Sequence, residues 1–516
     1  MNLNKYARIV ACIATGGLLL IGLFLLSSET PWTARAAPGD LFVTPGGGGD
    51  CSQADPCNLE TALSTAGDGD IFYLAAGTYA GSGGAVVTIT HSSTLYGGWD
   101  GSVVTPPVRD PTIHPTTIDG EGARRGIVVG SGITVTLEGF TITNGVDGFQ
   151  GAGLYARDAH LTLRGMTLYS NVISTTLVDQ VYGGGAMVEG GDLLVEGSVF
   201  RANSAWAPSS SSGGGLAISG TLQAIVEGSR FEDNDAWEAN GLYFLGDYGT
   251  VPPFIVRDCL FQENGWGNSP GNASGGYSSA IQIVTADARV EDNVFVHNRA
   301  ANGEGTVSVL YGRLDMVRNV IRANQSFYDV SGVRLWDVSP FTLTNNMIVE
   351  NVSTYWWRQQ QSVGIERSTG QMLHNTIARN SNTYGIKVSG NASVTLLNTI
   401  LVSHTVGITV EVGSAASLEG TLWGTGDWAN GDDWDGGGDI LTGTVNVWGN
   451  PAFKAPDSDN YHIGLGSAAR DAGIDAGVYA DIDGDARPAG NGYDIGADEY
   501  ADTVRLLYLP LVMNGD

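Results

Sequence analysis

The stretch Phe231-Glu-Asp-Asn234 decides the fold, because a large apolar residue followed three positions later by Asn recurs along the chain. The other copies are Leu168-Tyr-Ser-Asn171, Phe200-Arg-Ala-Asn203, Phe261-Gln-Glu-Asn264, Phe295-Val-His-Asn298, Ile321-Arg-Ala-Asn324, Ile348-Val-Glu-Asn351 and Ile377-Ala-Arg-Asn380. Successive Asn residues stand 32, 31, 30, 34, 26, 27 and 29 positions apart. Such a variable period is typical of a solenoid whose strands keep their length while its loops vary.

Each repeat carries at least two short strands. Five residues before Phe231 stands Val226, again apolar, and a Gly-led segment such as Gly215-Leu-Ala opens each coil. Alternating apolar positions indicate strands with one buried face. Because no coil can bury its apolar residues alone, like strands must stack. We predict an all-β, right-handed parallel β-helix of about eleven coils between residues 126 and 413.

A polar position repeats between the two apolar positions of the later coils. It is occupied by Asn293, Asn319, Asn346, Asn375 and Asn398. Stacked amides at one site can form hydrogen bonds along the rod. The sequence therefore predicts an asparagine ladder in the C-terminal half.

These repeats resemble those of known families. Gly183-Gly-Gly-Ala-Met187 with Phe200 to Asn203 is similar to the repeats of polymorphic outer-membrane proteins, which are β-helical surface adhesins. More broadly, residues 126–413 resemble the pectate-lyase-like superfamily. The resemblance implies a secreted or surface β-helix, and it specifies the fold better than the function.

The N-terminal 125 residues divide into two predicted parts. Lys5 and Arg8 precede the apolar run 9–26, and Ala34-Arg-Ala36 offers a cleavage site, so residues 1–36 are predicted to be a bacterial signal peptide. An uncleaved membrane anchor is the alternative. Residues 37–125 are expected to form an N-terminal cap, with a helix over 58–66, and the first strands. In an exported protein, Cys51 and Cys57 are expected to form a disulfide.

The C-terminal part is predicted to close the rod. In residues 414–500, Asp481-Ile-Asp-Gly-Asp-Ala-Arg-Pro488 and Tyr493-Asp-Ile-Gly-Ala-Asp-Glu-Tyr500 resemble the terminal segment of choice-of-anchor surface proteins, which implies cell-surface or extracellular residence. The tail 501–516 contains an apolar run over 506–513 that is too short to span a bilayer. It is either a capping strand or a sorting signal, and no transmembrane segment is expected after cleavage.

Three carboxylates stand at alternate positions near the C terminus. Asp481, Asp483 and Asp485 could converge on a hard cation such as Ca²⁺. Asp-Gly turns also occur without metal, so a plain turn is the alternative.

Aromatic residues follow the repeating Asn at one phase, which places them on one side of the predicted rod. They include Trp206, Trp237, Trp266, Tyr328, Trp356, Trp357 and Tyr384. Ring faces along a groove suit the sugars of an extended polysaccharide. The alternative is that these rings pack against each other and cover the coil edges.

The negative net charge of the chain limits the classes of molecule that it is expected to bind. A net charge of −29 opposes binding to nucleic acid or anionic lipid. No recognisable set of catalytic residues recurs, which favours binding of carbohydrate or another surface component over catalysis. A polysaccharide lyase or glycoside hydrolase is one alternative, and a purely structural or adhesive surface protein is the other. No feature of the sequence predicts the oligomeric state.

Overall fold

A computed structural model describes residues 39–501 except 248, 266–278, 301–303, 355–359 and 381–383. The described chain is a right-handed parallel β-helix, as predicted. Each complete coil crosses three parallel sheets, here called sheets 1, 2 and 3 in chain order. The predicted signal peptide, the tail after Ala501, and Trp266, Trp356 and Trp357 lie outside the described residues.

Sheet 1 follows the long loop of each coil. Its strands are Ala85–Ile89, Arg125–Val129, Leu154–Arg157, Ala186–Glu189, Leu216–Ser219, Leu242–Leu245, the first parts of Ile281–Glu291, Val307–Val317 and Val330–Thr344, then Gln361–Glu366, Tyr384–Ser389, Val406–Val410 and Asp432–Asp435. Within the described residues, eleven of these strands lie from Arg125–Val129 to Val406–Val410, in agreement with the predicted number of coils.

Sheet 2 follows a tight corner. Its strands are Asp40–Val43, Asp70–Ala75, Ser93–Trp99, Thr134–Glu138, His160–Arg164, Asp192–Glu196, Gln223–Glu227, Pro253–Arg257, the last parts of Ile281–Glu291, Val307–Val317 and Val330–Thr344, then Thr369–Leu373, the first parts of Ser393–Val402 and Ala415–Gly424, and Asp439–Leu441.

Sheet 3 completes the coil. Its strands are Gly77–Tyr79, Thr116–Asp119, Thr141–Thr143, Thr167–Tyr169, Val199–Arg201, Arg230–Glu232, Leu260–Gln262, Val294–Val296, Val320–Arg322, Met347–Val349, Thr376–Ala378, the ends of Ser393–Val402 and Ala415–Gly424, and Asn446–Gly449.

Short strands in the loops form small side sheets. They are Val146–Asp147, Val172–Ser174 and Ser204–Trp206; Gln180–Tyr182 and Ser210–Ser212; Arg299–Ala300, Gln325–Ser326 and Val352–Ser353; and the antiparallel pair Phe453–Ala455 and Asn460–Ile463. Two 3₁₀ turns cover Gly426–Trp428 and Pro456–Ser458.

The N-terminal end of the core is covered by a helix. Leu59–Thr65 forms the helix, and the Asn58 side chain caps it by accepting from the Thr61 backbone N–H at 2.8 Å. Leu59 packs into the main core, which is continuous through the rod. A disulfide joins Cys51 to Cys57 beside the first strand.

The recurring large apolar residues form a stack inside sheet 3. The rings of Phe200, Phe231, Phe261 and Phe295 are fully buried, with successive centroids 4.9, 4.7 and 4.7 Å apart. Stacked rings add stabilisation beyond that of the buried area. The repeat of the large apolar residue thus reflects the packing of one coil on the next.

The repeating Asn, which follows sheet 3, forms a ladder that the sequence analysis did not predict. Asn298 accepts at Oδ1 from the backbone N–H of Asn264 at 3.1 Å and from its side-chain amide at 2.9 Å. The same bonds link the Asn residues from Asn171 to Asn380. The preceding residue, for example His297 with φ 54°, adopts the left-handed conformation that turns the amide into the rod.

The predicted ladder between sheets 2 and 3 is present through Asn293, Asn319, Asn346 and Asn375. Asn398 was assigned to it wrongly: Thr376 pairs with Ile400, so Thr399 is the counterpart of Asn375. Asn398 lies one position earlier, with φ 53°. It bonds instead to His374 and to both backbone groups of Ile474.

Beyond Gly449, the chain returns along the outer face of sheet 3. Phe453, Tyr461, Ile463 and Ile495 pack on the outward side chains of sheet 3, Ile400 among them. This closing segment also contains the fully buried ion pair of Arg487 and Glu499, with Nη1 and Oε2 2.8 Å apart. The C-terminal segment therefore covers the side of the last coils.

Asn298→Ala tests the ladder that follows sheet 3. The change leaves the Asn264 N–H and the Phe261 carbonyl buried without their partner, and we expect it to lower the free energy of unfolding by about 2 kcal/mol. Urea unfolding measures the loss. Gln223→Ala removes an exposed amide from sheet 2 and is the control. Equal unfolding energies for the two variants would contradict a stabilising ladder.

His404→Asn tests the histidine that replaces an Asn in the same ladder, between Asn380 and Asn430. His404 Nε2 lies 3.3 Å from the amide of Asn380, and burial lowers the pKa of His404 to about 3. The unfolded chain, with a His pKa of about 6.5, binds the extra proton first, so stability falls as the pH decreases through 6.5 toward 3. Replacement by Asn, the residue of the earlier coils, should reduce this loss. Denaturant midpoints across that pH range measure it, and parallel curves would contradict it.

Candidate functional site

The outer face of sheet 1 presents one row of side chains in register, here called the sheet-1 row. It consists of Tyr155, Met187, Ala217, Tyr243, Gln282, Ser308 and Arg334. Parallel in-register pairing places these seven side chains about 4.8 Å apart along the rod. The row changes from apolar and aromatic at its first end to polar and charged at its last.

The first part of the row is aromatic. Tyr155, Met187 and Tyr243 form a cluster with Tyr182, which a side strand places over the same face. The rings of Tyr182 and Tyr243 lie 6.4 Å apart, and the Tyr155 hydroxyl donates to Glu189 at 2.8 Å. Tyr155 and Tyr182 are half-buried, so part of each ring stays accessible to a ligand.

The polar end of the row surrounds a buried carboxylate, Glu304. Its Oε2 accepts from the Ser308 hydroxyl at 2.9 Å and from the Gln282 amide at 3.3 Å. Its Oε1 lies 2.5 Å from Nη1 of Arg334. Only 6% of Glu304 is exposed, so this ion pair compensates a carboxylate that water barely reaches.

A second carboxylate borders the row from the loop after Asn234. Glu238 accepts from the hydroxyls of Ser210 and Ser212 at 3.2 and 3.1 Å. Burial raises the pKa of Glu238, and the nearby charge of Glu304 raises it further. Two carboxyl groups in unequal surroundings, one beside an Arg and one without, are the arrangement that general acid and base chemistry uses.

A second outward row of sheet 1 leads to the corner with sheet 2. Leu245, Val284, Leu310 and Trp336 occupy it. The centroid of the Trp336 ring lies 4.6 Å from the Arg334 guanidinium carbon and 4.2 Å from that of Arg367. At the corner, an open cavity of about 470 Å³ is lined by residues that include Asp287, Arg313 and Asp337. An apolar strip thus runs beside the polar end of the sheet-1 row.

Sequence comparison identifies the family. The model of the right-handed β-helix region matches residues 102–299 and 271–422, more than half of the chain. The chain belongs to the right-handed β-helix family. No curated protein matches it by sequence.

Three solved structures align distantly with this β-helix. Pectate lyase Pel9A is 12% identical, with 90% of this chain and 97% of that chain covered and a TM-score of 0.39. The PL6 polysaccharide lyase Pedsa3628 from Pseudopedobacter saltans is 10% identical, with coverage of 82% and 96% and a TM-score of 0.37. The periplasmic alginate epimerase AlgG is 10% identical, with coverage of 82% and 81% and a TM-score of 0.35.

Of the predicted aromatic residues, Trp206 and Trp237 occupy equivalent positions of neighbouring coils, because Ser204 pairs with Asp235, and Tyr384 begins a strand of sheet 1. Trp206, Trp237, Tyr328 and Tyr384 are half-buried, and no ring contact joins Trp206 to Trp237 in the described part of the chain. Trp206 Nε1 is buried, with no hydrogen-bond partner among the described residues. Trp237 directly precedes Glu238, so its loop borders the sheet-1 row. Trp266, Trp356 and Trp357 are not described.

The acidic residues near Trp237 are dispersed by the β-helix. Asp233 lies near Arg201 and Glu263 in a polar pocket beside sheet 3, while Arg257 pairs with Glu227 on sheet 2. Glu238 borders sheet 1 through its bonds to Ser210 and Ser212. The residues around it that sequence reasoning missed, Glu304 and Arg334, carry no recurring motif.

The three predicted calcium ligands have different surroundings. The Asp481 carboxylate accepts the backbone N–H groups of Asp483, Asp485 and Glu499 at 2.9, 2.7 and 3.0 Å, so it organises the turn. Asp483 lies beside His462 and Asp498.

Cys259, the free cysteine, is buried, and burial raises its pKa to about 12. Among the described residues, no helix is long and apolar enough to cross a membrane.

Arg334→Met tests the ion pair of the polar end. Without the guanidinium, Glu304 remains buried and uncompensated, and we expect the free energy of unfolding to decrease by about 3 kcal/mol. Guanidinium chloride unfolding measures it. Arg313→Met is the matched control, because Arg313 is exposed and has no ion pair within the described residues. A loss as small as that of the control would show that Glu304 does not depend on Arg334.

Proposed function

We propose that the protein is a secreted or cell-surface β-helix that binds an extended polysaccharide along sheet 1. The observation that carries this proposal is the sheet-1 row, in which tyrosine rings lead to Gln282, Ser308 and Arg334 beside the carboxylates of Glu238 and Glu304. The five middle residues of the row are buried, and its partly exposed ends, with the flanking Tyr182 and Glu238, combine apolar ring area with a few fixed polar groups, as carbohydrate sites require.

The repeat suits a polymer better than a small ligand. One side chain of the row recurs at about every 4.8 Å, which is comparable with the length of one sugar unit in an extended chain. Tyr155 and Tyr182 offer faces for sugar rings, while the partly exposed Arg334 and Glu238 can bind hydroxyl groups. The flanking loop residues Trp206, Trp237, Trp266, Tyr328, Trp356, Trp357 and Tyr384 are proposed to form the rim of this groove.

The proposal that the protein is exported is based on the sequence and on one disulfide bond. The predicted signal peptide over residues 1–36 and the Cys51–Cys57 disulfide both favour an oxidising compartment outside the cytoplasm. The proposed division is 1–36 signal, 37–125 cap and first strands, 126–413 repeats, 414–500 closing segment and 501–516 tail. The choice-of-anchor resemblance of residues 481–500 supports residence at the cell surface.

Glycoside hydrolysis is the second candidate, favoured by one observation. The pKa of Glu238 is raised by burial, while Glu304 faces an arginine. Glu238 could donate a proton to a leaving oxygen, and Glu304 would then be the base or nucleophile. A purely structural or adhesive role is the remaining alternative.

A glycan array on the mature protein, followed by calorimetry with the polysaccharide that binds, tests the proposal. Tyr155→Ala with Tyr182→Ala should weaken binding at least about tenfold, because ring faces supply contact area. Tyr169→Ala, which removes an exposed tyrosine from the outer face of sheet 3, is the matched control and should leave affinity unchanged. Binding that survives the double variant would refute the sheet-1 site.

Product analysis with the same polysaccharide separates binding from catalysis. New reducing ends that disappear in Glu238→Gln while binding persists would establish hydrolysis. Unsaturated products would establish a lyase instead. Binding without products supports the first proposal, and no binding to any glycan leaves the structural or adhesive role.

A further inference from the structure

A histidine and two carboxylates meet in the closing segment. His462 lies on the strand Asn460–Ile463, Asp483 in the turn after Asp481, and Asp498 near the end of the described chain. One ligand atom from each of these residues lies within 4.8 Å of the others. Three separate stretches of the closing segment thus bring three metal-binding side chains to one point.

The tautomer of His462 follows from its neighbour Asn460. Asn460 Oδ1 accepts from the backbone N–H of His462 at 3.1 Å, and this bond identifies the atom as the amide oxygen. The same oxygen lies 2.8 Å from Nδ1 of His462. An amide oxygen can only accept, so Nδ1 carries a hydrogen and Nε2 faces the carboxylates.

The negative charges of the carboxylates around Nε2 of His462 favour a bound cation. Nε2 lies 3.0 Å from Oδ2 of Asp483, and the buried Asp498 lies on another side. The other charged groups that act on Asp498 are Lys454 and Asp481. With Nδ1 protonated, a lone pair on Nε2 and two carboxylates can be brought together only if a proton or a metal ion lies between them.

The types of ligand atom at this point indicate which class of metal ion the residues would bind. Calcium takes six to eight oxygen ligands, whereas one imidazole nitrogen with carboxylate oxygens suits zinc and related transition metals. The hydrogen bond from Nδ1 to Asn460 is the outer interaction that orients a metal-binding imidazole. Asp481 holds the Asp483 turn through three backbone N–H groups, so the carboxylate of Asp483 is presented on an ordered loop.

We infer that His462, Asp483 and Asp498 bind one divalent transition metal ion, with zinc as the probe, and that the ion ties the closing segment together. The site shares Asp483 with the predicted calcium triplet but uses His462 and Asp498 in place of Asp481 and Asp485, and it lies in the closing segment and not on sheet 1. An ion held by three separate stretches stabilises the folded state, because the unfolded chain does not assemble the ligands.

Zinc titration of the EDTA-treated mature protein tests this inference. Calorimetry should give one zinc ion per chain, and zinc should raise the melting temperature. His462→Ala and Asp498→Asn should each weaken zinc binding at least about tenfold. His160→Ala is the matched control: His160 Nδ1 lies 2.7 Å from Asp192, but no third ligand joins this pair in the described part of the chain. Circular dichroism checks that each variant is folded.

Cobalt provides a readout independent of stability. Co²⁺ bound by a nitrogen and oxygen set should give visible d–d bands that His462→Ala abolishes and His160→Ala retains. Absence of saturable zinc binding, or equal affinity in His462→Ala, would overturn the inference and leave a protonated His462 paired with Asp483. Calcium binding that is unaffected by His462→Ala would overturn the zinc assignment.

Discussion

No single coil can bury its own apolar side chains or form all of its backbone hydrogen bonds, and the whole structure depends on this fact. A single coil of about thirty residues exposes its apolar side chains and the hydrogen-bonding groups of three strands, so both must be met by the coils above and below. Register then becomes common to the whole rod, because a slip of one residue would turn every inward side chain outward. The phenylalanine stack and the two asparagine ladders are consequences of this shared register.

The same constraint explains why so much of the fold could be predicted. Phe231 and Asn234 mark equivalent points of one coil, and their recurrence shows the period directly. The error at Asn398 was an error of register: the two coils keep one constant offset from the Leu373–Leu397 pair to the Thr376–Ile400 pair, so Asn398 is the counterpart of His374 and Thr399 that of Asn375. The ladder after sheet 3 was missed because its Asn was treated as a marker of the period and not as a bonding group.

The candidate sites were far less predictable than the fold. Outward positions of sheet 1 follow no repeat, since solvent and loops impose no common residue type. Glu304 comes from a loop and Arg334 from a strand, and their meeting depends on how that loop folds over the face. His462 and Asp498 lie on separate stretches whose proximity follows only from the packing of the closing segment on sheet 3. The predicted row of loop aromatics partly overlaps this region, through Trp237 beside Glu238.

The closing segment also sets an order of events during biogenesis. Contacts between neighbouring coils span about thirty residues, so a coil can form as soon as its successor is available. Asn345, in contrast, bonds to Ala480 and Arg487, residues 135 and 142 positions later. The last coils therefore complete their side surface only after almost the entire chain has been released. A chain truncated before residue 480 would keep its early coils and expose the apolar flank of its late ones, so this flank distinguishes finished molecules from interrupted ones.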